Sequence, residues 1–438
     1  RPQRGRAAGR PELRPVGGNR PDNGADRRRW SDRIDAYATG PFFGPLLFLA
    51  VMWLVFQLTT TVAKPLQDGL DSLFSGPVAD GVKAAVAAAG LADTWVEGLL
   101  VDGLVAGVGT LLTFTPLMAI MFVLLALLED SGYMARAAVV ADRTMARLGL
   151  PGKAFLPLIV GFGCNVPAIS ATRILSSPQQ RILTALLVPF TSCSARLTVY
   201  VMLASVFFDK WAGTAVFLMY LTSILLVVAT GFLLRTTLWR TMGSEPLLID
   251  LPPYQVPTLR LTASVAWTRL LGFLKTASGI IVATVIVVWL LQSIPVGAGE
   301  FGQVEPADSV YGALAQAIAP IFGPAGFATW QTVSALVVGF VAKEAVISSW
   351  AQTYASSEEQ AELGEHLRNA FEQSSGGHPM AAVAAFMVFM LAYTPCVATL
   401  AAQQREVGLR WTLFGVAIQL VVAYVLAVAV FQIGCLLG

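Results

Sequence analysis

An apolar stretch that is too short and too interrupted to form a plain membrane helix constrains this chain most. It runs from residue 156 to 170 with the sequence LPLIVGFGCNVPAIS. Its two prolines and two glycines are Pro157, Gly161, Gly163 and Pro167. Proline removes a backbone donor and glycine weakens a helix, and in a bilayer such backbone survives only inside protein or along a watered cavity. The stretch therefore predicts a broken membrane helix, with Cys164 and Asn165 as candidate ligands at the break.

The composition places this stretch in a membrane protein. The 438 residues are 55% hydrophobic and only 13% charged, whereas soluble domains are about 25% charged. The four cysteines have no paired spacing, so neither a disulfide framework nor a zinc finger is indicated. The chain contains no GxxxxGK[ST] phosphate loop. We therefore expect no nucleotide site and no enzymatic activity in these residues.

Apolar runs and charge bias divide the chain into six parts. They are a disordered basic tail with a juxtamembrane helix (1–40), a first span with an external amphipathic segment (41–98), a first repeat (99–240), a cytoplasmic connection (241–270), a second repeat (271–404) and a last span (405–438). The arginines of the tail predict a cytoplasmic N-terminus by the positive-inside rule and contact with anionic membrane lipid. Residues 295–325 contain acidic residues but no lysine or arginine, and are expected to form an outer loop.

Two short segments recur in the same order along the chain. LIVGFGCNVPAIS (158–170) aligns without gaps with LVVGFVAKEAVIS (336–348), and TSCSARL (191–197) aligns with TPCVATL (394–400). Charge bias puts the first break on the cytoplasmic side and the second on the outer side, which is typical of inverted-topology repeats with a site at the midplane. The prediction is an all-α polytopic membrane protein with two inverted-topology repeats and broken re-entrant helices.

Three cysteines adjoin the predicted breaks. They are Cys164, Cys193 and Cys396, the last directly after Pro395. A thiolate is a soft ligand that suits Fe(II), Zn(II) or Cu(I) better than Mg(II) or Ca(II), although a buried cysteine is often only a small apolar residue. Three thiols at comparable breaks favour a metal path, and we expect them to approach one another. Cys435 lies in a plain terminal helix and is expected to be a packing residue.

Charged residues inside apolar runs are the second group of candidates, because charge in a membrane is costly and usually functional. Glu344 is predicted to lie on the ion path as a hard ligand or proton acceptor. Lys343 is predicted to hold the empty site, against a carboxylate or a helix C-terminus. The alternative is that Lys343 snorkels to the outer interface and Glu344 caps a half-helix. Glu129 and Asp130 either relay ions or simply end a helix at the interface.

Five motifs resemble one known family, the membrane domain of bacterial ferrous-iron transport protein B (FeoB). They are LLEDSGYMAR (127–136), GFGCNVPAI with ATR (161–173), PFTSCSARLTVY (189–200), GFVAKEAVI (339–347) and YTPCVATLAAQQRE (393–406). The resemblance extends over about residues 30–436. Thr198 departs from it, since the family commonly has proline there.

The resemblance implies Fe²⁺ uptake across the bacterial cytoplasmic (inner) membrane through two nucleoside-transporter-like gate repeats, with the matching cysteines near the path. The family's N-terminal GTPase domain has no counterpart in these residues. A cytoplasmic GTPase domain, fused or separate, is therefore an expected partner, together with small accessory Feo proteins and a second copy of the chain in a homo-oligomer. Nucleic acid is not expected as a partner. Transport of Zn²⁺ or Mn²⁺, transport of a nucleoside-like solute, and a non-transporting scaffold stay open as alternatives.

Overall fold

The computed structural model describes most of the chain. The described residues are 40, 43–91, 94–136, 139, 145, 150–239, 254–255, 257–297, 301–302, 304–354 and 360–437. Most of the predicted basic tail (1–39) and the first part of the predicted connection (240–253) lie outside these residues. The described part is helical throughout, apart from turns and an isolated bridge between Pro295 and Ser309.

The first half of the chain contains nine of the α-helices that we number. They are α1 (Phe43–Leu73), α2 (Ala79–Ala88), α3 (Trp95–Gly98), α4 (Ala106–Asp130), α5 (Phe155–Gly163), α6 (Asn165–Ala171), α7 (Pro178–Leu187), α8 (Ser194–Phe207) and α9 (Ala212–Thr237). π-Helical segments (Phe74–Val78 and Leu99–Val105) connect α1 to α2 and α3 to α4. The predicted first span is therefore part of a longer, nearly continuous helical segment.

The second half of the chain contains eight more numbered α-helices. They are α10 (Leu259–Ser293), α11 (Val310–Ile318), α12 (Trp330–Val341), α13 (Ala345–Thr353), α14 (Gln360–Ser375), α15 (Pro379–Ala392), α16 (Val397–Val407) and α17 (Leu409–Leu437). The prediction of an outer loop over residues 295–325 is wrong in its second half, where α11 and a 3₁₀ segment run from 310 to 325. Tyr311, Ala315 and Phe322 bury the apolar side of this segment, which explains why it is helical.

The predicted all-α polytopic membrane fold is confirmed. Within the described residues six helical segments are long and apolar enough to cross a membrane. They are Trp95–Asp130, Pro178–Phe207, Asp209–Thr237, Leu259–Ser293, Pro379–Val407 and Leu409–Leu436. One further pair, Val310–Ala325 and Trp330–Val341, is bent by 103°, as expected of a broken or re-entrant span.

The segment Pro379–Val407 is the most enclosed of these spans. In α15, small residues such as Ala382 and Ala385 let neighbouring helices approach, and Phe386 and Phe389 fill the remaining space. Close approach at small residues is the usual way membrane helices pack, since apolar lipid provides no hydrophobic drive between them. α15 packs on α17 and α8, whereas α4 packs against both α1 and α10. The centre of the bundle is thus held between the two predicted repeats.

Candidate functional site

The first break in the chain falls at one residue, Cys164. α5 ends at Gly163 and α6 begins at Asn165, while Cys164 between them is extended (φ −152°, ψ 130°). The prolines do not interrupt either helix: each is the third residue of its helix, where backbone N–H groups have no intrahelical partner. The expectation that prolines and glycines jointly break this stretch is therefore corrected, since the prolines lie in the first turns of the two half-helices.

The second break repeats this geometry. α12 ends at Val341 and α13 begins at Ala345. Ala342, which the sequence alignment matches to Cys164, is also extended (φ −143°, ψ 125°). The two aligned residues thus have the same extended backbone at the two breaks, which agrees with the internal repeat seen in the sequence.

A glycine one turn before each break permits a close contact. A Cβ added at Gly161 would lie 2.2 Å from the Thr191 hydroxyl oxygen, and one at Gly339 would lie 2.5 Å from Val346 and 2.9 Å from the Tyr393 hydroxyl. Such separations are far below van der Waals contact. Gly161 therefore serves the site by letting α5 approach the segment that leads to Cys193.

We expect Gly161→Ala to lower stability by about 1–3 kcal/mol, the usual effect of overpacking a filled core. The same change should reduce transport, because Thr191 must move and Thr191 holds Asn165. Gly279→Ala is the matched control: Gly279 lies inside α10 with nothing within 4 Å of the added carbon. Thermal unfolding in detergent measures both variants. Equal stability of the two would contradict the packing role of Gly161.

The other two cysteines occupy equivalent positions in the two repeats. Cys193 precedes the first residue of α8 and Cys396 precedes the first residue of α16, both in extended backbone (ψ 164° and 155°). Each thiol thus stands at the positive end of a helix dipole, where an anionic ligand is favoured. The Cys396 sulfur also contacts the Thr399 hydroxyl at 3.2 Å.

The structure brings the three thiols into one neighbourhood. Cys164 interacts electrostatically with Cys193, Cys396 and Glu344, and Cys396 interacts with Cys193 and Lys343. Each of the three cysteines is half-buried and free. In the part of the chain that is described, however, no group of three or more His, Cys, Asp or Glu side chains is close enough to hold a metal ion. The arrangement is a series of thiols around a junction rather than a closed coordination site.

Asn165 and Lys343 are aligned in the two repeats and make matching contacts. The Asn165 side-chain oxygen accepts a hydrogen bond from the Thr191 hydroxyl at 3.2 Å. Lys343 Nζ donates to the Thr394 carbonyl at 2.7 Å. Thr191 and Thr394 are themselves aligned residues, so each break is tied to the cysteine motif of its own repeat. One of the two lone pairs on the Asn165 side-chain oxygen is thereby committed to structure.

Lys343 points into the protein. Its residue is 3% exposed, and its Nζ lies 3.3 Å from the centre of the Tyr393 ring as well as at the Thr394 carbonyl. Both partners follow the last residue of α15, so the ammonium occupies a helix C-terminus, where positive charge is stabilised. A helix C-terminus is one of the two partners that the sequence analysis considered for Lys343, and its role at the site stays a prediction. Glu344 is half-buried beside it and interacts with Cys164.

Arg196 is a buried cation that the sequence analysis did not single out. One guanidinium nitrogen donates to the carbonyls of Pro189 and Thr191, both at 2.9 Å, and the other reaches the Tyr393 carbonyl at 3.4 Å. Arg196 is fully buried and joins the two cysteine segments. The signal for it was present: an arginine inside an apolar run follows the same rule that identified Lys343.

Glu129 and Asp130 do not join the thiols. Glu129 forms an ion pair with Arg269 at 2.7 Å, and both side chains are substantially exposed. Met118, on the same helix, contacts Cys164. Glu129 is eleven residues further along α4, or about 16 Å at 1.5 Å per residue. The two carboxylates therefore lie at the helix end, far from the junction.

Two groups of contacts fix the neighbouring motifs. Glu406, almost buried at the end of α16, forms ion pairs with both Arg173 and Arg181 of the first repeat, and the hydrogen bond to Glu406 raises the pKa of Arg173. Tyr254 of the predicted connection (241–270) lies under the Arg136 guanidinium, with its ring centre 3.7 Å from the guanidinium carbon. Burial, with a smaller contribution from Tyr254, raises the pKa of Tyr133 to about 12. This contact packs Tyr254, which lies in the described part of the connection, onto the end of the LLEDSGYMAR motif.

Two matched broken helices, with thiols and buried cations at their junction, define a polytopic membrane protein of the gate class. Family models agree with this description. The Gate model, described as "Nucleoside recognition", matches residues 111–207 and 274–410, more than half of the chain. The model described as "Ferrous iron transport protein B C terminus" matches residues 216–269. The chain therefore belongs to the FeoB family, of which it contains the membrane part.

Individual relatives support the same assignment. The chain is 39% identical over 413 residues to a protein of Methanocaldococcus jannaschii named Fe(2+) transporter FeoB, covering 93% of this chain and 59% of that protein. A Staphylococcus aureus protein of the same name is 39% identical over 418 residues, with 93% and 60% covered. A Porphyromonas gingivalis protein named as a fusion of Fe(2+) transport protein A and FeoB is 34% identical, with 93% and 52% covered. The chain thus spans no more than about 60% of these relatives' length. No solved structure matches the chain.

Proposed function

We propose that this chain forms the Fe²⁺-conducting part of a ferrous-iron transporter in the bacterial cytoplasmic membrane, with its N-terminus in the cytoplasm. The observation that carries the proposal is the convergence of Cys164, Cys193 and Cys396, from three separate irregular segments, beside Glu344. Thiolates suit Fe(II) better than Mg(II) or Ca(II). The relatives named Fe(2+) transporter support the same substrate.

The arrangement of the three thiols suits the passage of a metal ion better than its tight binding. Thiols that do not close into one coordination site can bind an ion in successive partial contacts, so the ion can also leave. Lys343 and Arg196 place cationic side chains at the two helix ends next to the cysteine motifs, where they would compensate the charge of thiolates formed when a metal ion binds. Glu344, next to Lys343, supplies a carboxylate that can complement the sulfur ligands of a divalent cation.

Partners follow from the same proposal. The relative in which Fe(2+) transport protein A and FeoB are one polypeptide supports an accessory Feo protein as partner. A GTPase domain, fused or separate, would act on the cytoplasmic side. The described part of the cytoplasmic connection, where Tyr254 packs on Arg136, is the place where such a domain would act on the segment that follows α4.

Uptake into liposomes that contain this chain alone tests the function. Fe(II), Zn(II), Mn(II) and uridine are offered separately under anaerobic conditions, and Fe(II) is expected to enter fastest. Uridine is included because the matching Gate model is described as "Nucleoside recognition". Uptake of uridine with no uptake of any metal would overturn the proposal in favour of a nucleoside carrier.

We expect Glu344→Gln to reduce Fe(II) uptake roughly tenfold, which corresponds to about 1.4 kcal/mol of lost transition-state stabilisation. Glutamine keeps the size of the side chain and removes the charge that faces the cation. The pH dependence of uptake should also change. Glu129→Gln is the matched control, because Glu129 is an exposed partner of Arg269. Near-normal uptake with unchanged pH dependence in Glu344→Gln would leave only a capping role for Glu344.

A further inference from the structure

A cavity of about 260 Å³ lies beside the first break, between α1 and the helices α4, α5, α8 and α9 of the first repeat. The residues that line it and enter the argument are Met118, Met121, Cys164 and Ser194. The Ser194 hydroxyl is already engaged as a donor, since it forms a hydrogen bond to the Gly163 carbonyl at 3.0 Å. Cys164 therefore belongs to two environments: this cavity, and the junction that it shares with Cys193 and Cys396.

Cys164 is paired with a second sulfur in the cavity wall. Its Sγ lies 3.9 Å from the Sδ of Met118, and Met118 is 4% exposed. If a metal ion formed bonds of about 2.3 Å to both sulfurs, the S–metal–S angle would be roughly 116°, which is close to tetrahedral. No change in the separation of the two sulfurs is required for them to bind one ion together.

We propose that Met118 and Cys164 form a two-sulfur site for a soft, low-valent metal ion, at the point where the cavity meets the thiol junction. The proposal rests on the proposed function and adds a ligand to it. A thioether is neutral and soft, so it favours Fe(II) or Cu(I) over Mn(II) and Mg(II). The cavity is several times the volume of a water molecule, about 30 Å³, so water can complete the coordination of the ion.

A neutral ligand also suits a transfer site. Met118 supplies no charge, so the ion can pass from the Met118–Cys164 pair to the thiols of Cys193 and Cys396 without leaving an anionic ligand behind. Cys164, common to both environments, stays bound during the transfer. The Met118 sulfur then contributes to selectivity at entry, before the ion reaches the junction.

Competition between metals in the full chain tests the selectivity. Met118→Leu is compared with Met121→Leu, which removes a sulfur from the same helix and cavity wall. Leucine replaces methionine with little change in volume, so both variants are expected to fold. Met118→Leu should lower the ratio of Fe(II) to Mn(II) uptake roughly tenfold. This is the lower end of the loss in affinity or activity seen when a group that supports a metal site is replaced. Met121→Leu should leave the ratio unchanged, and an equal effect of the two variants would overturn the site.

A binding measurement separates this site from the transport proposal. In a chain with Cys193, Cys396 and Cys435 replaced by serine, Cys164 is the remaining thiol. Cu(I) affinity, measured by competition with a chromogenic chelator, should fall roughly tenfold with Met118→Leu and not with Met121→Leu. A tenfold loss of Cu(I) affinity in Met118→Leu alone would support the two-sulfur site. That conclusion would hold even if liposomes containing the wild-type chain took up no Fe(II), an outcome that would refute only the proposed function.

A further measurement needs no variant at Met118. X-ray absorption of Cu(I) bound to the single-thiol chain should show two sulfur neighbours. One sulfur neighbour, or equal Cu(I) affinity in the two leucine variants, would make Met118 a packing residue.

Discussion

Replacing Cys164, Cys193 and Cys396 together by serine is expected to lower Fe(II) uptake at least about 100-fold, the upper end of the loss seen when only the groups that support metal ligands are replaced. Serine keeps the shape of cysteine but offers a hard oxygen, which binds Fe(II) and Zn(II) less well than a thiolate. The three residues contribute from three different segments to one junction. Their joint replacement therefore removes every thiol there at once. Uptake into liposomes, normalised to reconstituted protein, measures the effect.

Cys435→Ser is the matched control for the triple variant. Cys435 is also a free, half-buried cysteine, but it lies near the end of α17, where no break occurs. Its replacement should leave uptake within error of the wild type. Normal transport by the triple variant, at normal protein level, would show that the three cysteines only pack, and the metal path would have to be sought elsewhere.

Arg196→Met is expected to have the largest effect on stability. The change leaves the carbonyls of Pro189 and Thr191 without the donor they share at 2.9 Å. Hydrogen bonds from charged groups contribute about 1.5–3 kcal/mol each, so a loss of about 3 kcal/mol or more is expected. Methionine fills much of the volume but donates nothing. The apparent unfolding temperature in detergent measures the loss.

Arg269→Met provides the comparison for Arg196. Arg269 forms an exposed ion pair with Glu129, and exposed pairs contribute at most about 1 kcal/mol. Arg196→Lys is the informative intermediate, since it keeps the charge but cannot donate in a fork to two carbonyls. The apparent unfolding temperature of Arg196→Lys should fall between those of the wild type and Arg196→Met. If Arg196→Met were as stable as Arg269→Met, the guanidinium would not be what joins the two cysteine segments.

The sequence alone determined the class of fold and the positions of the two helix breaks. Apolar runs with few charges predict membrane helices because charge is excluded from lipid. The aligned segments 158–170 and 336–348 predicted two equivalent breaks, and Cys164 and Ala342 share the same extended backbone in the structure. These predictions succeed because they depend on local chemistry: helix termination, periodicity and the cost of charge are properties of neighbouring residues.

Contacts between distant residues were decided only by the tertiary structure. The sequence could not show that Lys343 would rest on Tyr393, or that Met118 would meet Cys164 across 46 positions. It also could not separate Glu129 from the thiols, because its motif stands close to theirs along the chain while α4 carries it about 16 Å away. Such partners depend on how helices cross, which is fixed by packing over the whole bundle. The sequence therefore specified which chemistry is available, and the packing of the helices specified which groups meet.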